Sequence, residues 1–372
     1  MVLCGLRGLC VSFIPVSENP APDLSHFPLS PPGFRHFAPA MRITLVTGGG
    51  GFLGGAIVRR LREEGRAVRV VGRGPQPELE KIGVDFVRGD LADPVVAKRA
   101  VVGCDTVFHV AAKAGVWGPA EDFRRANVEA TQRLLDAARA AGVSRFVHTS
   151  TPSVVFNGEP LAGANESLPY VVPTRCPAAY PVTKAAAERL VLAADSDSFR
   201  TCAIRPHLIW GVGDNHLVPR VVARARAGKL RIVGVGDNRV DMTHVDNAAH
   251  AHLLAAKALD SGTARGKAYF LSDDAPVGLW DWVNGLLIRL ALPPVTSRIP
   301  VSVAYAGGAC AELVWTLGRL AGEPPMTRFV AVELAKDHWF DITAAKRDLG
   351  YAPVVNNENA LDDLATWLKS RA

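Results

Sequence analysis

The chain has 372 residues, 48% of them hydrophobic and 21% charged, which is enough to bury one large core or two smaller ones and excludes a disordered polymer. Its 42 Lys and Arg against 36 Asp and Glu give a formal charge of +6, but the cations are spread with no basic block or aromatic interleaving, so no nucleic-acid partner is expected while small anionic ligands are compatible. The six cysteines, at 4, 10, 104, 176, 202 and 310, have neither metal-ligand spacing nor the density of a disulfide scaffold. They read as thiols of a cytoplasmic protein with no metal site.

Residues 1–40 carry seven prolines, no lysine and no periodicity, the marks of a segment that adds nothing to a core. The apolar stretch GLCVSFIPV is short, is broken by Pro15 and lacks a small-residue cleavage site, so a signal peptide is not expected. Met41 opens directly onto RITLV. The expectation is that residues 1–40 are a disordered leader or the product of a misassigned start, with the folded chain beginning at Met41.

From Met41 short apolar runs alternate with helical stretches, the pattern of an α/β, doubly wound parallel sheet. The predicted strands are RITLVTG (42–48), AVRVVGR (67–73), VDFVRGD (84–90), DTVFHVA (105–111), SRFVHTS (144–150) and TCAIRP (201–206). Helices such as GGAIVRRLREEG and NVEATQRLLDAARAAG lie between them and stop at glycine. After about residue 207 the alternation loosens, and VGLWDWVNGLLIRL and SVAYAGGACAELVWTLGRL predict a smaller, mostly helical C-terminal part. The expected division is 41–206 for dinucleotide binding and 207–372 for substrate binding, with some later segments returning to the first core.

The glycine-rich TGGGGFLGG, between the first strand and the first helix, costs both elements stability and therefore asks for another reason. Gly48, Gly51 and Gly54 form a G-x-x-G-x-x-G turn whose backbone N–H groups and helix N-terminus can hold a pyrophosphate. An acidic residue normally ends the second strand of an NAD binder, but here the place reads VVGRG, with Gly72 and Arg73. Without a carboxylate to repel it, a 2′-phosphate can be clasped by Arg73, so NADPH is favoured and NAD kept as the alternative. Asp90, ending the third strand, is placed for the adenine edge or for a turn.

Of the five tyrosines only Tyr180, in AAYPVTKAAAERL, has a lysine four residues on, which stacks Tyr180 and Lys184 on one helix face. A free phenol, with a pKa of roughly 10, is a poor acid–base group at neutral pH. A nearby ammonium would bring it closer to the working range.

These motifs resemble the extended branch of the short-chain dehydrogenase/reductase superfamily. TGGGGFLG, DLAD, DTVFHVAA, NVEATQRLL, HTSTPSVV, YPVTK and IRPHLIWGVGD follow the family order across residues 42–214, and RVDMTHVDNAAHAHLLA and FDITAAKRDLGYAP continue it. The resemblance implies a Rossmann-type fold and a catalytic set of Tyr180, Lys184 and a hydroxyl, for which Thr151 is preferred over Ser150 and Ser153. It also implies cofactor contacts from Gly48, Gly51, Phe52, Leu53, Gly54, Arg73, Asp90, Leu91, Ala111, Lys184 and Pro206, with His207 either beside the nicotinamide or in the core.

Within that branch the chain is most similar to 3β-hydroxysteroid dehydrogenases, sterol-4-carboxylate dehydrogenases and bacterial 2-alkyl-3-oxoalkanoate reductases of olefin biosynthesis. AAKAGVWG, TSTPSVVFNG and GEPPMTRF look most like the reductases, implying NADPH-dependent reduction of a lipid-like β-keto acid at its 3-keto carbon. The alternatives are an NAD-dependent steroid dehydrogenase, a non-catalytic dinucleotide sensor and, less well matched, a nucleotide-sugar epimerase. Gly115 to Trp117, Leu208 to Trp210 and Val301 to Trp315 are expected to line the alkyl site. Lys113 or Arg220, with His216 nearby, is expected to meet the carboxylate. Segment 301–322 is too interrupted, by Glu312, Arg319, Gly307, Gly308 and Gly318, to span a membrane, and reads as a pocket or interfacial helix. Homodimerisation and peripheral contact with a membrane or a pathway enzyme are left open.

Overall fold

The computed structural model describes residues 42–371; the expectations for the leader and for a start at Met41 fall outside them. The six predicted strands all form: β1 (Ile43–Thr47), β2 (Ala67–Gly72), β3 (Asp85–Arg88), β4 (Cys104–His109), β5 (Arg145–Thr149) and β6 (Arg200–Pro206). A seventh, β7 (Lys267–Leu271), joins them in the order β7-β6-β5-β4-β1-β2-β3. Every pairing is parallel. Strands of this kind are covered on both faces, which is why β1, β4 and β6 read as nearly unbroken buried runs rather than alternating ones.

Helix α1 (Phe52–Glu63) buries Leu53, Ala56, Ile57, Val58 and Leu61 against the sheet and turns Arg59, Arg62 and Glu63 outward. Burying each large aliphatic contributes roughly 1.5–3 kcal/mol. Helix α2 (Ala179–Ala193) follows the same logic with polar residues on its inner face: Thr183, Lys184, Ala187, Glu188 and Val191 are buried. Glu188, fully buried, is paired with Arg205 of β6 through two contacts of 2.5 and 3.0 Å and accepts the Tyr170 hydroxyl at 2.8 Å. This bidentate pair pins the helix to the sheet, because removing one partner would strand a buried charge.

Helix α3 (Val245–Ser261) also covers the sheet, so the sheet layer draws on residues on both sides of 207. The later segments build a second core around Trp210, Val222, Met242, Leu286 and Leu364, under a four-stranded sheet of Leu161–Ala164, His338–Phe340, Arg239–Val240 and Val277–Gly278. No helix among the described residues is long and apolar enough to cross a membrane.

Candidate active site

A cavity of about 900 Å³ opens beyond the C-terminal ends of β1, β2, β4 and β5, where the strand order reverses between β1 and β4. Its floor is the turn from β1 into α1. Gly48 has φ +69°, and a Cβ there would come within 3.0 Å of the Ala111 backbone. A Cβ on Gly54 would run into the Gly48 carbonyl. Gly51 differs: its only close protein neighbour would be that carbonyl at 3.2 Å, leaving open space above an α1 N-terminus with no side-chain cap and no acid in its first turn.

The ends of β1 and β4 are tied by Thr47. Its hydroxyl accepts the amides of Val110 and Ala111 at 3.1 and 3.0 Å and donates to His109 Nδ1 at 2.9 Å. That leaves His109 Nε2–H to donate to Thr131 Oγ1 at 2.8 Å, whose hydroxyl donates to the Asn127 carbonyl at 2.6 Å. Burial holds His109 neutral, its pKa driven down to about 3.

Asn127 sits in a π-helical turn, Arg124–Glu129. Its side chain accepts the Lys113 amide at 2.7 Å and donates to the Lys113 carbonyl and to Thr183 Oγ1, both at 3.2 Å. The loop after β4 and the first turn of α2 are thereby held at a set spacing.

Tyr180 and Lys184 face the cavity from α2, and Thr151 from the end of β5. Burial pushes the Tyr180 phenol above its ordinary value, while hydrogen bonding with the Thr151 side chain pulls it back. Lys184, 2% exposed, donates to the Thr149 carbonyl at 2.6 Å and to His148 Nε2 at 3.2 Å. Burial lowers its pKa to about 8, against the attraction of Glu188. Lys184 is thus engaged with β5, and burial is the largest influence on the phenol.

A family model for the 3-beta hydroxysteroid dehydrogenase/isomerase family matches residues 45–300. The chain belongs to that family. It is 49% identical over 85% of its length to a 2-alkyl-3-oxoalkanoate reductase of Stenotrophomonas maltophilia, covering 96% of that protein. It is 44% identical over 95% of its length to a protein of the same name from Shewanella oneidensis, covering 98% of it. Among solved structures, MoeE5 in complex with UDP-glucose and NAD aligns with 88% of this chain and 99% of its own, at 28% identity and a TM-score of 0.67. This family member is an oxidoreductase.

Its cavity brings together Gly48, Gly51, Phe52, Leu53, Gly54, Arg73, Asp90, Leu91, Ala111, Thr151, Tyr180, Lys184 and Pro206, residues spread over 159 positions of sequence from 48 to 206. Arg73 is exposed at the rim with no ion-pair partner among the described residues, whereas Asp90 caps Ala92 N at 3.0 Å and meets Arg125 at 3.1 Å. Ser150 also faces the cavity, and Ser153 lies 3.0 Å from the Thr151 hydroxyl.

Other expectations are corrected. Of its two expected places His207 takes the core: it does not line the cavity but is buried against His338 at 2.6 Å, and burial drives its pKa well below the ordinary value. Trp210 is fully buried in the second core, its indole donating to Asp273 at 3.2 Å. Helix 301–318 contributes nothing to the cavity wall, although Leu208 and Ile209 do. Lys113 lines the cavity but is paired with Asp122 at 2.7 Å, and Arg220 is paired with Glu323 at 2.9 Å, outside the lining. Sequence reasoning missed Asn127 and the Thr47–His109 link, although both lie in motifs it quoted. Their signal is contact between distant segments, which spacing does not carry.

Proposed function

We propose that the chain is an NADPH-dependent 2-alkyl-3-oxoalkanoate reductase, converting a β-keto acid with two alkyl arms into the 3-hydroxy acid. The observation that carries this reading is the single cavity joining the glycine turn to Tyr180, Lys184 and Thr151, in a chain nearly half identical to reductases of that name.

The residues present fit a dinucleotide. The space above Gly51 and the uncapped first turn of α1 suit a pyrophosphate, and the unpartnered Arg73 suits a 2′-phosphate. NAD in the MoeE5 complex supports a nicotinamide cofactor for the shared fold. When bound, NADPH supplies the hydride taken up at C3.

The chain's part is to polarise the ketone and deliver a proton. Thr151 Oγ1 donates a hydrogen bond to the 3-keto oxygen, drawing charge onto it. Tyr180 Oη then gives its proton to that oxygen as the C–H bond forms, so the ketone gains a hydride and a proton and becomes a secondary alcohol. Lys184, held by Thr149 O, presents positive charge to the developing phenolate. The loops of residues 207–372 supply the substrate side, beginning with Leu208 and Ile209.

The test is to follow NADPH oxidation by the purified chain against a panel of 2-alkyl-3-keto acids and 3-ketosteroids, with NADH in parallel. Turnover of the keto acids with NADPH is expected. Turnover of steroids alone, or a strict requirement for NAD in the oxidative direction, would replace this reading with a steroid dehydrogenase.

A further inference from the structure

Among the described residues His148 is the one histidine with a buried ring nitrogen that lacks a hydrogen-bond partner, its Nδ1. It sits inside β5, between Val147 and Thr149, and is 1% exposed. An apolar side chain at that place in a buried parallel strand would pack without leaving a polar atom behind. The neighbouring buried histidines are fully engaged. His109, whose ring lies 5.3 Å from that of His148, uses one nitrogen on Thr47 and the other on Thr131. His252 of α3 donates from Nδ1 to the Ala248 carbonyl at 2.7 Å and accepts the Thr149 hydroxyl at Nε2, 2.8 Å away. Neither ring has a nitrogen left for His148. A buried N–H without a partner costs stability, so what the His148 ring contributes must lie at its other nitrogen.

That nitrogen, Nε2, is 3.2 Å from Lys184 Nζ. An ammonium only donates, so Nε2 accepts and the ring proton resides on Nδ1, the orphaned position. The tautomer that leaves an N–H unpaired is therefore the one that serves Lys184. The Thr149 carbonyl of β5 takes a second ammonium hydrogen at 2.6 Å. Glu188, one turn along α2, attracts the charge but is itself spent on Arg205 and Tyr170, and Tyr180 lies one turn earlier on the same helix. His109 from β4, His148 from β5 and His252 from α3 are all held neutral by burial, the first two also by the charge of Lys184. Two of the three ammonium hydrogens are thus committed to β5. Tetrahedral geometry at Nζ fixes the third, on a side chain that lines the cavity.

We propose that His148 is a positioning residue for Lys184: together with the Thr149 carbonyl it holds two ammonium hydrogens on the inner side and so aims the third into the cavity that Tyr180 also lines. The inference rests on the assigned reaction only for what the third hydrogen does there; the placing of the other two belongs to the chain alone. A neutral acceptor suits this task. A carboxylate in its place would cancel the charge that a developing phenolate needs. An apolar ring would let the ammonium turn and shed its proton at lower pH, since a hydrogen bond to the charged form is what favours it.

The test compares His148→Phe with His148→Gln, whose amide oxygen falls near the place of Nε2. In NADPH-dependent reduction of a 2-alkyl-3-keto acid, His148→Phe should lower kcat about tenfold and move the alkaline limb of the kcat profile to lower pH by about one unit, the worth of one hydrogen bond to a charged group. His148→Gln should recover most of both. In a Lys184→Met background His148→Phe should cost nothing further, because its effect passes through the ammonium. Full multiplication of the two losses, or an alkaline limb that stays in place, overturns the proposal. A second readout needs neither substrate nor cofactor: nitrogen NMR of the full chain labelled at its histidine rings, with His148 assigned by its loss in His148→Gln. A protonated Nδ1 and a bare Nε2 are expected, and a protonated Nε2 overturns the proposal even where the Phe variant fails to fold. A wild-type chain with the expected tautomer that reduces no keto acid would overturn the assigned reaction while still supporting the placing of Lys184.

Discussion

The two ends of the cavity are built on opposite principles. At the inner end Tyr180 and Lys184 stand on a helix pinned to β6 by the buried Glu188–Arg205 pair, Thr151 follows the end of β5, and Asn127 sets the distance from the facing loop. Burial, not charge, dominates the titration of Tyr180 and Lys184 there. At the outer end Arg73 rises from an exposed loop with no ion pair, and Asp90 is shared between a turn amide and a solvent-exposed Arg125. A buried, over-determined end suits chemistry that fails with small displacements, whereas a sparse, exposed end can select a ligand and change its selection at little cost to the fold.

The sharpest way to test this contrast is to cut at the inner end. Tyr180→Phe should lower kcat by ~10²–10⁴-fold while cofactor affinity, read by fluorescence titration, stays near wild type. Retained turnover would remove Tyr180 from the proton-transfer role. Glu188→Ala should destabilise the fold by about 3–5 kcal/mol in denaturant titration, since Arg205 would be left charged and unpaired in the core. An outer-end change should behave differently. Arg73→Asp is expected to weaken NADPH by roughly 10- to 100-fold, the worth of a charge-assisted contact, with little effect on NADH or on the melting temperature. Equal losses for both cofactors would show that Arg73 does not reach the 2′-phosphate.

Asn127→Ala should cost about 1–3 kcal/mol of stability through the stranded Lys113 amide and carbonyl, together with a fall in kcat as the loop drifts from α2. The smallest effect concerns pH. The folded chain releases the Lys184 proton near 8, but the unfolded chain holds it to the ordinary 10.5, so the unfolded state binds more protons between those values. The contribution of Lys184 to stability therefore rises with pH across that window. Thermal melts of wild type and Lys184→Met should show the difference shifting toward wild type from pH 8 to 10.5, and a flat difference would mean that the lysine is not desolvated.

Much of the fold was legible from local pattern. Apolar runs of fixed length, glycine stops and a glycine-rich turn identify β1 through β6 because a parallel strand is buried on both faces and leaves a continuous signal. The strand Lys267–Leu271 is not legible in this way, since KAYFL is a five-residue run that opens on an exposed lysine and lies beyond the point where the regular alternation loosens. Helix 301–318 was recognised as apolar, but the side on which its leucines lie was not. Composition does not reveal a face when both faces are apolar, and only contact with Thr327 and Arg328 decides it.

By itself the sequence determined the alternation of strands and helices, the glycine turn between β1 and α1 and the placing of Tyr180 and Lys184 on one helix face, because each depends on local spacing that the periods of 3.6 and 2 suffice to read. Tertiary structure alone decided that Lys184 reaches the Thr149 carbonyl, that His207 belongs to the core, that Lys113 and Arg220 already have carboxylate partners, and that Asn127 reaches Thr183, 56 residues further on. Those outcomes turn on which groups lose water and which partners meet across long loops, and desolvation and long-range pairing are properties of the packed chain rather than of any stretch of it.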